Sequence, residues 1–142
     1  MAAYTKFNQF VEDLCEKVHN LQTDTLKVML VNSPAPVATN SVKADLTEIA
    51  AGNGYAAGGA QVVQSSSAQT GGTYKLVVAD PTFTATASSF GPFRYAVLYN
   101  DTPTSPADPL IAWWDYGVPI TITPGNSFTV DLDQAGGVFT LA

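Results

Sequence analysis

Few side chains in this sequence have the type and spacing to do covalent chemistry. Cys15 and His19 are the single cysteine and the single histidine. Four apart on a helix they would lie on adjacent turns, so a thiol–imidazole pair is geometrically available. A working nucleophile also needs a base held by a third group, and a thiolate favoured by nearby positive charge. No orienting residue or electropositive cluster is evident beside Cys15. The ordinary account is a small buried thiol in an apolar helix stripe and a helix-terminal histidine meeting the last carbonyls.

Paired carboxylates are the next possibility. Asp131 and Asp133 lie two apart on an expected strand and project from one face. A glycosidase holds such a pair about 5–9 Å apart across a cleft. Phe128, Val130 and Leu132 take the opposite face, so the aspartates occupy the solvent side. Asn100, Asp101 and Asp108 could offer oxygens to calcium, but they lack EF-hand spacing and read as turn-capping residues. Gly52-Asn53-Gly54 has no lysine to complete a phosphate cradle. The sequence reads as a non-enzyme with no cofactor and no metal site.

The aromatic set is the most suggestive. Tyr95, Tyr99, Trp113, Trp114 and Tyr116 fall on two neighbouring expected strands, and alternation sends Trp113 and Trp114 to opposite faces. One indole can be core. The other is exposed, covered by the helix or covered by a partner, and an exposed row could stack sugar rings or form a protein interface.

The elements that must hold these residues follow from periodicity. Phe7, Phe10, Val11, Leu14 and Val18 form one stripe at helical spacing, with Glu12, Asp13, Glu16 and Lys17 opposite. The stripe predicts an amphipathic helix within residues 1–21, capped by Thr5 and stopping near Asn20. From Thr25 the period becomes two: Leu26, Val28 and Leu30 share a face against Lys27 and Met29, and Pro34 and Pro36 end that strand. Residues 44–49 suit a short helical turn. Strands are expected over 60–64, 74–79, 82–86, 93–99, 110–116, 120–123, 128–132 and 138–141, separated by Gly, Pro and Asn turns, with a hairpin at Gly71-Gly72. In the strand 93–99, Phe93, Tyr95, Val97 and Tyr99 are expected on one face. One domain over 1–142 results: mainly β, an antiparallel β-sandwich of about eight strands behind one N-terminal helix.

Composition narrows the partners. The chain has 142 residues, a formal net charge of −6 and 13 % charged residues, about half the usual quarter. Its basic residues (Lys6, Lys17, Lys27, Lys43, Lys75 and Arg94) are scattered singly, which argues against nucleic acid and anionic lipid. No long apolar run suggests a signal peptide or a membrane helix, so a soluble protein made in a reducing cytosol is expected.

Five segments carry a resemblance. They are Tyr4–Leu21 (YTKFNQFVEDLCEKVHNL), Asp24–Val31 (DTLKVMLV), Asp45–Tyr55 (DLTEIAAGNGY), Gly91–Thr102 (GPFRYAVLYNDT) and Pro109–Gly117 (PLIAWWDYG). Together they resemble a family of tailed-bacteriophage virion proteins similar to capsid-decoration, or cementing, proteins. The strings are distinctive but carry no chemistry. The resemblance implies a jelly-roll type of sandwich and a homo-oligomer, dimer or trimer, on the outer capsid surface of the virion, binding the major capsid protein. The expected contacts are the loops with Pro34, Pro36, Pro103 and Pro106, since fixed loops lose little entropy on binding, together with Trp113. The alternatives are a carbohydrate- or receptor-binding module built on Trp113 or Trp114, and a tail-associated subunit of the same virion.

Overall fold

Three apolar stretches pair side by side and make the centre of the protein. They are β2 (Leu26–Val31), β7 (Phe90–Asn100) and β8 (Leu110–Ile122). The computed structural model describes residues 2–142; Met1, part of the segment read as helical, lies outside the described residues. The other strands are β1 (Ala3–Lys6), β3 (Ala60–Val62), β4 (Gln64–Thr70), β5 (Thr73–Val78), β6 (Thr82–Thr84), β9 (Ser127–Thr129) and β10 (Phe139–Leu141). One helix, α1 (Gln9–Cys15), and a 3-10 turn at Lys43–Asp45 complete the described elements.

All strand pairs are antiparallel, in a five-stranded sheet ordered β1-β8-β7-β2-β3, a three-stranded sheet β10-β5-β4 and the pair β6-β9. The fold is mainly β and sandwich-like, as the strand spacing predicts. This order does not establish the jelly-roll connectivity that the resemblance implies.

The five-stranded sheet is apolar on both faces. Leu26, Val28, Leu30, Ala96, Leu98, Ala112 and Trp114 point into the main core, where Leu76, Val78, Phe83 and Val130 meet them. Met29, Val31, Tyr95, Val97, Tyr99, Leu110 and Trp113 point the other way and form a second core with Phe7. Burying both faces explains why these strands read as continuous apolar runs. The second face is covered by residues 32–46, crossing the sheet with Ala38 and Leu46 packed inward. That crossing is pinned by backbone bonds from Asn8 N to Ala38 O (2.9 Å), Leu110 N to Ser41 O (2.9 Å) and Lys43 N to Asp108 O (2.9 Å).

The N-terminal segment departs from the predicted single helix. Ala3–Lys6 is a strand on the edge of β8, with Tyr4 opposite Trp114 and Thr5 opposite Trp113. The helix starts after Asn8, not Thr5, and ends at Cys15, five residues before Asn20, in a capping motif around Lys17. There Val18 N bonds Asp13 O (2.8 Å) and Lys17 N bonds Leu14 O (3.4 Å), with Lys17 at φ 68°. This is the double bond pattern of a Schellman stop, with lysine where glycine is usual. Pairing with the two tryptophans outweighs the helical stripe that Phe7 and Phe10 advertise.

The helix phase also differs. Phe10 and Asp13 are buried, Val11 is exposed and Cys15 is exposed, so the expected burial of the thiol and solvation of Asp13 are both reversed. Cys15 lies two residues, about 200° of rotation, from Asp13, so burying one exposes the other.

The strand 93–99 is corrected too. Between Phe93 and Tyr95 the register jumps, because Phe93 pairs with Ile120 whereas Tyr95 pairs with Asp115. The extra residues of β8 include Gly117 at φ 83°. The irregularity turns Phe93 into the main core beside Phe90 and Phe128, away from Tyr95, Val97 and Tyr99. The expected strands 110–116 and 120–123 are one strand, β8, while Ser65–Ser67 extend β4.

Lys17 gives a direct test of the helix stop. Lys17→Gly removes the side-chain cost of the left-handed conformation and is expected to raise stability by about 0.5–1 kcal/mol in urea denaturation. An unchanged or lower midpoint contradicts the assignment.

Candidate functional site

The residues with chemical potential gather where the α1–β2 connection meets the end of β7. His19 lies beyond the helix stop and is 6 % exposed, so it does not cap the helix carbonyls as expected. It packs edge-on against Phe10, ring centroids 5.2 Å apart. Cys15 is exposed while His19 is buried, and the imidazole Nδ1 is engaged by Asn100 Nδ2 at 3.1 Å. No hydrogen bond joins the exposed thiol to the buried imidazole.

Asn100 organises this corner. Fully buried, it donates from Nδ2 to Asp24 Oδ2 (2.6 Å) as well as toward His19, and its Oδ1 accepts from Thr102 N (3.1 Å). Asp24 Oδ2 also accepts from Asn20 N (2.8 Å), and Thr25 N donates to Thr102 Oγ1 (2.8 Å). Since both amide hydrogens of Asn100 point outward from Nδ2, His19 Nδ1 is the acceptor, which puts the imidazole proton on Nε2. Nε2 and Asp13 Oδ2 are buried without hydrogen-bond partners. Burial holds the His19 pKa below its ordinary value of 6.5, against the opposing pull of the Asp13 and Asp24 charges.

A cleft of about 660 Å³ opens beside this corner, lined by Leu14, Val18, His19, Asp24, Tyr74 and Phe139 among others. Its walls mix apolar and polar side chains, Lys17 and, from β4, Ser67 among the polar ones.

The other sequence candidates hold loops together. Asp101 pairs with Lys27 Nζ at 2.8 Å, and Asp108 sits at φ 51° in the loop before β8. Asp131 accepts from Asp133 N (3.1 Å), and Asp133 from Ala135 N (3.2 Å) and Gly136 N (2.7 Å), so both carboxylates shape the turn before β10. Among the described residues no His, Cys, Asp and Glu group could hold a metal ion, and no helix is long and apolar enough to cross a membrane.

Two polar pairs had no sequence signal. Arg94 grips Asp115 with two bonds, 2.7 and 2.8 Å, and holds its carboxyl below the usual range. Glu48 accepts from Gly58 N (3.0 Å) and from Tyr55 Oη (3.3 Å), while Tyr55 Oη accepts from Leu30 N (3.1 Å). Each joins residues from separate elements, and strand register alone makes the first one visible.

The expected contact residues divide. Pro34 is exposed, Pro36 is buried, and Pro103 and Pro106 are half-buried. The two loops leave opposite ends of the β2–β7 pair, since Val31 lies opposite Tyr95 and Leu26 opposite Asn100. Trp113 and Trp114 do face opposite sides, but both are buried, at 8 % and 2 % exposure. Phe7 lies 4.5 Å from the Trp113 ring and Tyr4 lies 5.5 Å from Trp114. Trp113 is therefore a core residue and presents no indole face to a partner or a sugar. Comparison with known protein families, curated proteins and solved structures finds no match.

Two measurements check these assignments. Trp113→Ala is expected to cost about 3–5 kcal/mol of folding stability, as other large core truncations do; a loss under 1 kcal/mol would place the indole outside the core. For His19 the lowered pKa means that the unfolded chain binds more protons below pH 6.5. Its contribution is complete above that pH and is lost as pH falls through the window below it. Denaturation midpoints at pH 7.5 and 5.5 should differ more for the native chain than for His19→Gln, and equal differences would contradict the burial of a neutral imidazole.

Proposed function

We propose that this chain is a non-enzymatic structural subunit of a bacteriophage virion, bound to the outer surface of the capsid through the major capsid protein. The observation that carries the reading is the resemblance of five segments, in order, to tailed-phage virion proteins. Four of them supply β1 and α1, β2, β7 and β8, so the likeness lies in the framework of the central sheet. Pro34, Pro36, Pro103 and Pro106 fall outside the five segments, which suits loops adapted to one particular shell.

The physical features are compatible with cementing. The 103–109 loop is tied at its base by Asn100 N to Pro109 O (3.0 Å) and by Lys43 N to Asp108 O (2.9 Å), so little freedom is lost when it docks. Each copy would bridge neighbouring shell subunits, and opening the shell would have to break the bridge. Many copies add their contributions even when each contact is weak. A net charge of −6 keeps an outer-surface protein from collecting nucleic acid. A sugar-binding reading loses its basis, because the two tryptophans that would stack a ring are buried.

Purified particles decide the matter. Mass spectrometry is expected to find the chain at high copy number, and a particle reconstruction should place it between capsid subunits on the outside. Absence from particles rejects the proposal, and density confined to the tail replaces it with the tail-associated reading.

A further inference from the structure

β4 is one of the two edges of the β10-β5-β4 sheet, the longer one, and pairs on one side only, with β5. The turn between them is Gly71-Gly72, with φ 59° and 87°, the two positive angles of a type I′ hairpin. That turn sets the phase of the ladder. Thr70 and Thr73 form its hydrogen-bonded closing pair, and Ala68 with Lys75 forms the next. The backbone N–H and C=O of Ser67 and Gln69 therefore point away from β5. Among the described residues, no backbone group beyond the β4–β5 ladder bonds to them.

Open edges are ordinarily blunted by lysine, proline or an inward charge. β4 reads QSSSAQT and has none of these, and residues 49–74 carry no charged side chain in a chain of net charge −6. The register irregularity between Gln64 and Ser66 leaves 66–70 in regular pairing.

We infer that the β4 edge is a homodimer interface, in which two copies pair antiparallel about a twofold axis at Ala68 and join their three-stranded sheets into one. A strand that meets itself antiparallel is self-complementary, as a twofold interface must be. Ser67 of each copy then lies opposite Gln69 of the other, and their outward N–H and C=O groups satisfy each other. Charge selects the same occupant. Copies that repel one another elsewhere meet here without like charges, and a charged partner strand would find nothing to pair with. The inference goes beyond the capsid reading and does not depend on it.

Sedimentation or light scattering of the full chain tests it at tens of micromolar. The expected mass is twice the 14.9 kDa of one chain. Ser67→Pro removes an N–H that β5 does not use, so it should weaken association at least about tenfold while the circular dichroism stays native. Gln69→Lys sets like charges across the axis and should weaken association in a way that added salt relieves; this variant decides the question if Ser67→Pro does not fold. A monomer at 100 μM (about 10⁻⁴ M, weaker than a specific dimer needs), a trimer, or a dimer indifferent to both variants overturns the inference. A monomeric chain present on particles would reject this interface alone, whereas a dimeric chain absent from particles would reject only the capsid reading.

Discussion

A sheet that is apolar on both faces must be covered on both faces, and the rest of this structure is arranged around that need. β2, β7 and β8 bury nearly all of their shared length on both sides, Lys27 and Asp115 being the partly exposed exceptions. One face is met by β5, β6 and the segment after β9, which any sandwich supplies. The other face needs a separate cover. Residues 32–46 provide it without regular structure beyond one 3-10 turn, and their backbone groups find partners in Asn8, Asp108 and Leu110. Phe7 closes the remaining gap over Trp113.

The same need accounts for the polar residues inside. Tyr99 lies in the second core with no exposure, and its Oη donates to Gly58 O at 2.8 Å. Tyr55 likewise spans from the main core to Leu30 N and Glu48. Burial pushes the Tyr116 hydroxyl up to about 12, and the Tyr55 and Tyr99 hydroxyls upward as well; the last two donate, to Glu48 and to Gly58 O. Gly59 shows how closely the chain entering β3 lies on β2: a side chain there would meet the backbone of Val28 and Met29. At the far end of β7, Asn100 performs the equivalent task, joining the connection before β2 to the loop before β8.

Function follows from what is left over. The aromatic residues that looked available for recognition are consumed by the two cores, and the aspartates by turns and one ion pair. What remains at the surface is polar and sparsely charged, with tethered proline loops at opposite ends of one strand pair and an uncharged sheet edge. On the reading proposed above, such a surface would serve repeated, modest contacts, where number compensates for strength.

Much of this was legible from local pattern. Alternation marked β2 and its two faces, the Gly71-Gly72 pair marked its hairpin, and the tryptophans had to diverge because successive strand residues do. These are properties of neighbouring residues, which is why sequence by itself determined the mainly β class and most strand positions. The N-terminal strand, the exposed Cys15, the buried Asp13 and His19 and the displaced Phe93 were decided otherwise. Tyr4 pairs with a residue more than a hundred positions away, and Phe93 turns inward because β8, not its own strand, carries the extra residues. Which side of a short element is buried depends on the surface it meets, and only the tertiary structure brings that surface into place.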